Sequence, residues 1–288
     1  MSHCKMHIYH HSHGKVYIHL EDTLEYLGLK HYIVNIKKDT QLSKEIKDLR
    51  VPILMYHHLK LKENMSKDDW NNWSIMSVEN FKRNIKFMYE RGYKAISFKE
   101  YLNAYKGKCN LPEKCVIITF DDGYYSSYKY AYPILKKYGY LAAQFVVTSS
   151  VYEDDPYGIS VKLPHLTWNL IKKMKDVFSF HTHSHDYHRR ENNVAYYHCK
   201  KQYEIKNDLL KSHNLLAERN YNQAKILAYP YGDYDDKILS ILDELDYDFA
   251  LTVYSGTSCL ADGVYKLKRY SMHNSISNDK LGKMLESN

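Results

Sequence analysis

The sequence predicts an α/β protein, a barrel of parallel strands with helices on its outside. Two observations carry that expectation. From Val51 onward, short apolar runs rich in β-branched residues alternate with segments whose apolar residues recur at helical spacing. Such alternation implies parallel strands joined by crossovers. Every cluster of chemistry-bearing polar residues also follows directly on the end of one of those apolar runs. In a β/α barrel the carboxyl ends of the strands form the face where chemistry is done, so one architecture accounts for both.

Residues 1–48 stand apart from this pattern. Residues 16–20 and 31–36 alternate like strands, with a short helical segment over 21–29 between them. They predict a small β-rich or βαβ appendage ahead of a main domain over 49–288. The histidines at 3, 7, 10, 11, 13 and 19 follow no ligand spacing and read as a solvated face.

In the main domain, residues 51–56 form the first strand, with Pro52 near its start, where a missing N–H is tolerated. It ends in the polar tip Tyr56-His57-His58, and residues 62–72 make a charged loop containing Trp70. Ser77 caps a helix that Gly92 closes, with Phe81, Ile85 and Met88 as its inner stripe. A strand at 94–98 and a short helix at 99–104 follow. After a Pro-containing loop comes the central strand at 115–120, then a helix over 128–138 that contains Pro133 and ends at Gly139. Residues 142–147 read as a buried strand. Residues 148–164 read as a polar, Tyr-bearing loop placed for substrate contact. Thr167 caps the next helix, residues 177–180 form a strand, and the longest helix spans 193–219. A strand at 225–229, a helix from Asp235 to Leu245, and strands at 248–253 and 265–272 complete the chain.

The central strand, Val116-Ile117-Ile118-Thr119-Phe120, ends in two adjacent carboxylates and a glycine. Side chains alternate along a strand, so Asp121 and Asp122 can serve two different partners from one tip, and Gly123 lets the backbone turn sharply. A strand followed by an Asp-Gly turn is common in itself. About sixty residues on, Val177-Phe178-Ser179-Phe180 empties into His181-Thr182-His183-Ser184-His185. His181 and His185, with one carboxylate from elsewhere, would make an N,N,O set for a divalent metal.

Thr119-Phe120-Asp121-Asp122-Gly123 followed by His181-Thr182-x-x-His185 resembles the first two signature motifs of the polysaccharide deacetylases, the carbohydrate esterase family with the NodB homology domain. Ile53-Leu54-Met55-Tyr56-His57-His58, Tyr132-Pro133-Ile134-Leu135-Lys136-Lys137-Tyr138-Gly139 and Ala228-Tyr229-Pro230-Tyr231-Gly232 are similar to further family motifs, in the family's order. The resemblance covers roughly residues 51 to 285. It implies a distorted barrel of about seven strands. It also implies a metal-dependent hydrolase that removes acetyl groups from N-acetylated sugars of a polysaccharide or cell-wall glycan.

By that resemblance Asp122, His181 and His185 hold zinc or a similar divalent ion, and Asp121 is the general base. Pro230-Tyr231 matches the third motif, in which the backbone N–H of Tyr231 would stabilise the oxyanion. His273, after Arg269-Tyr270-Ser271-Met272, stands where the family often has Leu-x-His and is the candidate general acid. Two departures stand out. Ala228 occupies the place of an Arg that orients the catalytic Asp, and Arg269 is expected to supply that guanidinium from the last strand. The fourth motif, with its Trp, is not recognisable near 247–252. Ala228 with Tyr229-Pro230-Tyr231-Gly232 is more similar to the exopolysaccharide and poly-N-acetylglucosamine deacetylases than to the chitin branch.

Composition sets the remaining bounds. With 44% hydrophobic and 26% charged residues among 288, the chain is an ordinary globular protein large enough for one sizeable core. A net charge of +7 without a basic block favours anionic surfaces and does not indicate nucleic-acid binding. Five cysteines form no C-x-x-C pair, which argues against a disulfide framework and is compatible with a reducing compartment. No stretch has the length of a membrane span, and residues 1–7 lack the apolar core of a secretory signal. Those features predict a cytoplasmic location, whereas many family members act outside the cell. The competing functional readings are an amidase acting on a different small amide and a catalytically weak carbohydrate-binding relative.

Overall fold

A computed structural model describes residues 9–10, 16–17, 49–153, 163–219 and 224–286. The chain divides into two compact units, Met1–Ile46 and Lys47–Asn288. In the first unit Tyr9–His10 pairs antiparallel with Val16–Tyr17. The helix expected over 21–29 and the strand over 31–36 lie outside the described residues.

The second unit is built on seven parallel strands: β1 (Ile53–Tyr56), β2 (Cys115–Phe120), β3 (Ala142–Val146), β4 (Phe178–Thr182), β5 (Ile226–Ala228), β6 (Phe249–Leu251) and β7 (Tyr270–Ser271). Their order in the sheet is β6-β5-β4-β3-β2-β1-β7. The sheet curls into a barrel, and its two ends approach where Leu251, at the end of β6, bridges Leu267, three residues before β7. Arg269 N–H donates to Tyr254 O across the same seam.

Both faces of the strands are apolar because both are covered. Ile117, Phe145, Ala228, Phe249 and Leu251 point into the barrel, where Phe98 and Tyr101 of α2 (Phe98–Tyr105) join them. Residues of opposite parity, such as Leu54, Ile118 and Phe120, point outward. They pack under α1 (Val78–Glu90), α3 (Tyr132–Tyr138) and α4 (Trp168–Lys173). On the far side α5 (Gln202–Ala217) and α6 (Asp236–Glu244) cover Leu227 and Ala250. A last helix, α7 (Asn278–Leu285), buries Leu281 and Leu285.

Local signals explain most boundaries. Ser77, Ser97, Thr167 and Asp235 each accept a backbone N–H three residues on. These are the N-caps that satisfy otherwise orphaned donors. The helix expected over 128–138 forms in two parts. Residues Ser127–Ala131 are wound as a π-turn and α3 follows with Pro133 in its first turn, because proline has no N–H to give to the preceding turn. The helix expected over 193–219 begins only at Gln202. Asn192 and Asn193 adopt positive φ and turn a short hairpin between Arg190–Glu191 and Val194–Ala195, a conformation asparagine tolerates better than most residues.

Candidate metal centre

At the tip of β2 the chain departs from strand geometry at once. Asp121 keeps the inward direction of Ile117 and Thr119. Asp122 (φ 69°) and Gly123 (φ 77°) are left-handed, so the two carboxylates diverge. A side chain at Gly123 would meet Val146 Cγ1 at 3.1 Å, which holds this turn tight against β3.

Asp121 is fully engaged inside the barrel. Its Oδ1 and Oδ2 accept from the two terminal nitrogens of Arg269, each at 2.7 Å, and both residues are buried. Arg269 Nε donates to Thr252 O at 2.9 Å, fixing the guanidinium plane. Burial alone would raise the carboxyl pKa, but Arg269, His183 and His57 outweigh it, and the net shift is downward. Asp121 is therefore a carboxylate at neutral pH, oriented by a bidentate fork.

Asp122 points to two imidazoles. Its Oδ1 lies 3.4 Å from His183 Nε2 and 3.4 Å from His188 Nε2, and the three ligand atoms lie within 4.8 Å of one another. Ligand atoms about 2.0–2.2 Å from a tetrahedral ion stand about 3.4 Å apart, so both distances from Asp122 are those of neighbouring ligands on one ion. Asp122 Oδ1 is buried without a hydrogen-bond partner. His183 Nδ1 lies 2.7 Å from Ala228 O and donates to it, which leaves Nε2 as the free lone pair toward Asp122. A divalent ion fits this N,N,O set.

His188 is held differently. The Tyr231 ring stacks on it at 4.7 Å with 29° between planes, and the Arg190 guanidinium lies over the Tyr231 ring at 4.4 Å. Tyr231 itself is left-handed (φ 62°), and a Cβ on the following Gly232 would fall 2.4 Å from Val253 Cγ2. Burial, with His183 nearby, pushes the His188 pKa down to about 4. A cavity of about 180 Å³ opens over the carboxylates, with His57, Trp73, His183, His188 and Tyr231 in its wall.

A family profile described as polysaccharide deacetylase matches residues 108–250. The poly-β-1,6-N-acetyl-D-glucosamine N-deacetylase of Staphylococcus aureus is 31% identical over 235 residues, which cover 77% of this chain and 79% of that protein. The chain belongs to the polysaccharide deacetylase family. Among solved structures, the Streptococcus pyogenes deacetylase PplD in complex with acetate is 28% identical, with a TM-score of 0.69, over 83% of this chain and 99% of that one. IcaB from Ammonifex degensii shares the fold at 21% identity, with a TM-score of 0.65, over 82% and 95% of the two chains.

Against this geometry the expected ligand set needs correction. His181 is not beside Asp122. It shares the inward parity of His183 but lies two residues, one side-chain layer, deeper in the barrel. There its ring meets Phe98 and Phe145 at 5.9 and 5.6 Å, and Nε2 pairs with Ser179 Oγ at 3.0 Å. His185 lies beyond the strand, after Ser184 (φ 79°) has turned the chain, and its Nδ1 pairs with Thr148 Oγ1 at 3.0 Å. The imidazoles that meet Asp122 are His183 and His188. His273, the expected acid, pairs with Ser275 Oγ at 3.0 Å and is not among the residues lining the cavity.

His57 lines that cavity instead, edge-on to Trp73 at 5.2 Å, with a buried Nδ1 that has no hydrogen-bond partner. The sequence signal for it was the polar tip Tyr56-His57-His58 at the end of the first strand. Among the described residues no helix is long and apolar enough to cross a membrane, and no disulfide joins the cysteines at 109, 115, 199 and 259.

Proposed function

We propose that this deacetylase is a metal-dependent hydrolase that removes acetyl groups from the N-acetylated sugars of an extended glycan, poly-N-acetylglucosamine being the substrate class its relatives' names indicate. One observation carries the reading: Asp122, His183 and His188 converge within bonding span of one ion, directly beside a carboxylate locked by Arg269. A divalent ion, zinc or similar, would supply a Lewis acid that polarises the acetyl carbonyl and acidifies the attacking water.

The chain's own residues would do the rest. Asp121 is the base that takes the water's proton. Arg269, just before β7, keeps it ionised and aimed, in place of the arginine that Ala228 replaces. The backbone N–H of Tyr231 is offered to the developing oxyanion by its left-handed turn. His57 is placed to protonate the leaving nitrogen. Burial outweighs the pull of Asp122 and Asp121 and holds its pKa below the ordinary value, so the ring would rest neutral at pH 7 and, once it has taken up a proton, its imidazolium would be a strong donor. His183 Nδ1, held by Ala228 O, fixes the lone pair that the ion would use.

The test is acetate release from poly-N-acetylglucosamine, chitin oligomers and peptidoglycan, with and without a chelator. Release that stops with chelator and returns with zinc supports the proposal. Chelator-insensitive release, or none from any acetylated glycan, would overturn it.

A further inference from the structure

Helix α5 carries a polar feature that the catalytic reading does not use. Its inner side buries Ile205, Leu209 and Leu216, and among them Asp208 and Ser212 are also buried, at 6% and 0% exposure. They are four residues apart, one turn along the same face. Both spend their polar atoms on a single stretch of chain, residues 182–186, which joins β4 to His188. Asp208 Oδ2 accepts from His185 N at 2.9 Å and Oδ1 from Asp186 N at 2.8 Å. Ser212 Oγ donates to Ser184 O at 3.3 Å and pairs with Thr182 Oγ1. That hydroxyl in turn accepts from Ser184 N at 3.1 Å. The left-handed Ser184 is thereby pinned through both its N–H and its carbonyl.

We infer that Asp208 and Ser212 are positioning residues for the metal centre: they set the turn that brings His188 back toward His183. The inference rests on the reading of His183 and His188 as ligands. Nothing else among the described contacts accepts from the N–H groups of His185 and Asp186. Two adjacent N–H donors match the two oxygens of a carboxylate. An asparagine would set an NH₂ group against one of them. The choice of a carboxylate is costly, since burial pushes the Asp208 pKa up to about 6 in spite of both bonds. A helix needed only for packing would be better served by an apolar residue there.

The experiment is zinc titration of the metal-free full-length protein, in competition with a chromophoric chelator, alongside its thermal midpoint without metal. Asp208→Asn is expected to weaken zinc binding about 10-fold or more, the range seen for groups that orient ligands, with the metal-free midpoint within a few degrees of wild type. Ser212→Ala, which changes least in volume, is expected to weaken zinc binding several-fold. It decides the matter should Asp208→Asn fail to fold. Zinc affinity within twofold of wild type in the variants that fold would overturn the inference, as would a loss matched by unfolding of the metal-free protein. His183→Ala and His188→Ala serve as controls. If they too keep wild-type affinity, the ligand reading itself fails; if they lose zinc while the α5 variants do not, only the positioning role fails.

Discussion

At the scale of single residues, the site's behaviour depends on which groups are left unpaired when one is removed. Arg269→Ala would strand Asp121 as a buried, unpartnered carboxylate, a change that costs about 3–5 kcal/mol when one member of a buried pair is deleted. Without Arg269 the desolvation that already opposes ionisation would dominate, and the Asp121 pKa would rise. Turnover should fall at least 100-fold, the acid limb of the pH–rate profile should move to higher pH, and bound metal should be little changed. Equal losses of metal and turnover would assign Arg269 to the ion rather than to the base. The histidines separate in the same way. His183→Ala and His188→Ala should each abolish stoichiometric zinc, measured by elemental analysis, whereas His185→Ala should retain it. His181 is a core residue whose burial pushes its pKa down to about 4, so His181→Leu should also retain zinc.

At the scale of elements, the turn after β5 is the part least tolerant of change. Pro230–Gly232 places Tyr231 over His188, and Gly232 combines φ 75° with backbone pressed on Val253. Gly232→Ala adds a left-handed penalty of about 1–2 kcal/mol to an overpacking penalty of about 1–3 kcal/mol. A drop of about 2–5 kcal/mol in urea unfolding free energy is expected, together with weaker zinc binding because Tyr231 must move off His188. A stable variant with wild-type zinc affinity would show that the stack does not depend on this turn. The strand ends, caps and most helices were legible from sequence because they are local. Ser77, Thr167 and Asp235 cap in the structure where a short polar side chain precedes a helical stripe. The start of α5 was not legible: hairpin and helix compete over 190–201, and the left-handed asparagines decide for the hairpin.

For the whole molecule, buried histidines govern acid stability. His181 and His58 have pKa values pushed down to about 4, mainly by burial, against 6.5 in an unfolded chain. A group whose folded pKa is depressed contributes stability that is fully present above pH 6.5 and is lost as pH falls toward 4. Asp208 acts in the opposite sense. Its raised pKa means that the folded state gains stability as pH falls from about 6 toward 4. His188 is depressed in the same way as His181 and His58, and these three outnumber the one raised carboxylate, so the metal-free protein should lose stability between pH 6.5 and 4. The slope should be shallower in His181→Leu, by up to about 1.4 kcal/mol per pH unit for the proton removed. Urea denaturation across that range checks it; an unchanged slope would mean that His181 titrates normally.

The sequence by itself determined the alternation of strands and helices, the strand end that presents Asp121 and Asp122, and the family, because each is written in contiguous residues. Only the tertiary structure decided which imidazoles meet Asp122. Three histidines stand at alternate positions from 181 to 185, and a linear pattern does not say how far up the barrel wall each one sits. The depth of β4 puts His181 among phenylalanines and His183 at the rim, and the turn held by α5 carries the chain past His185 to His188. The same holds for Arg269 and Asp121, 148 residues apart, and for His57: barrel closure brings them to one cavity, and closure is a property of all seven strands together.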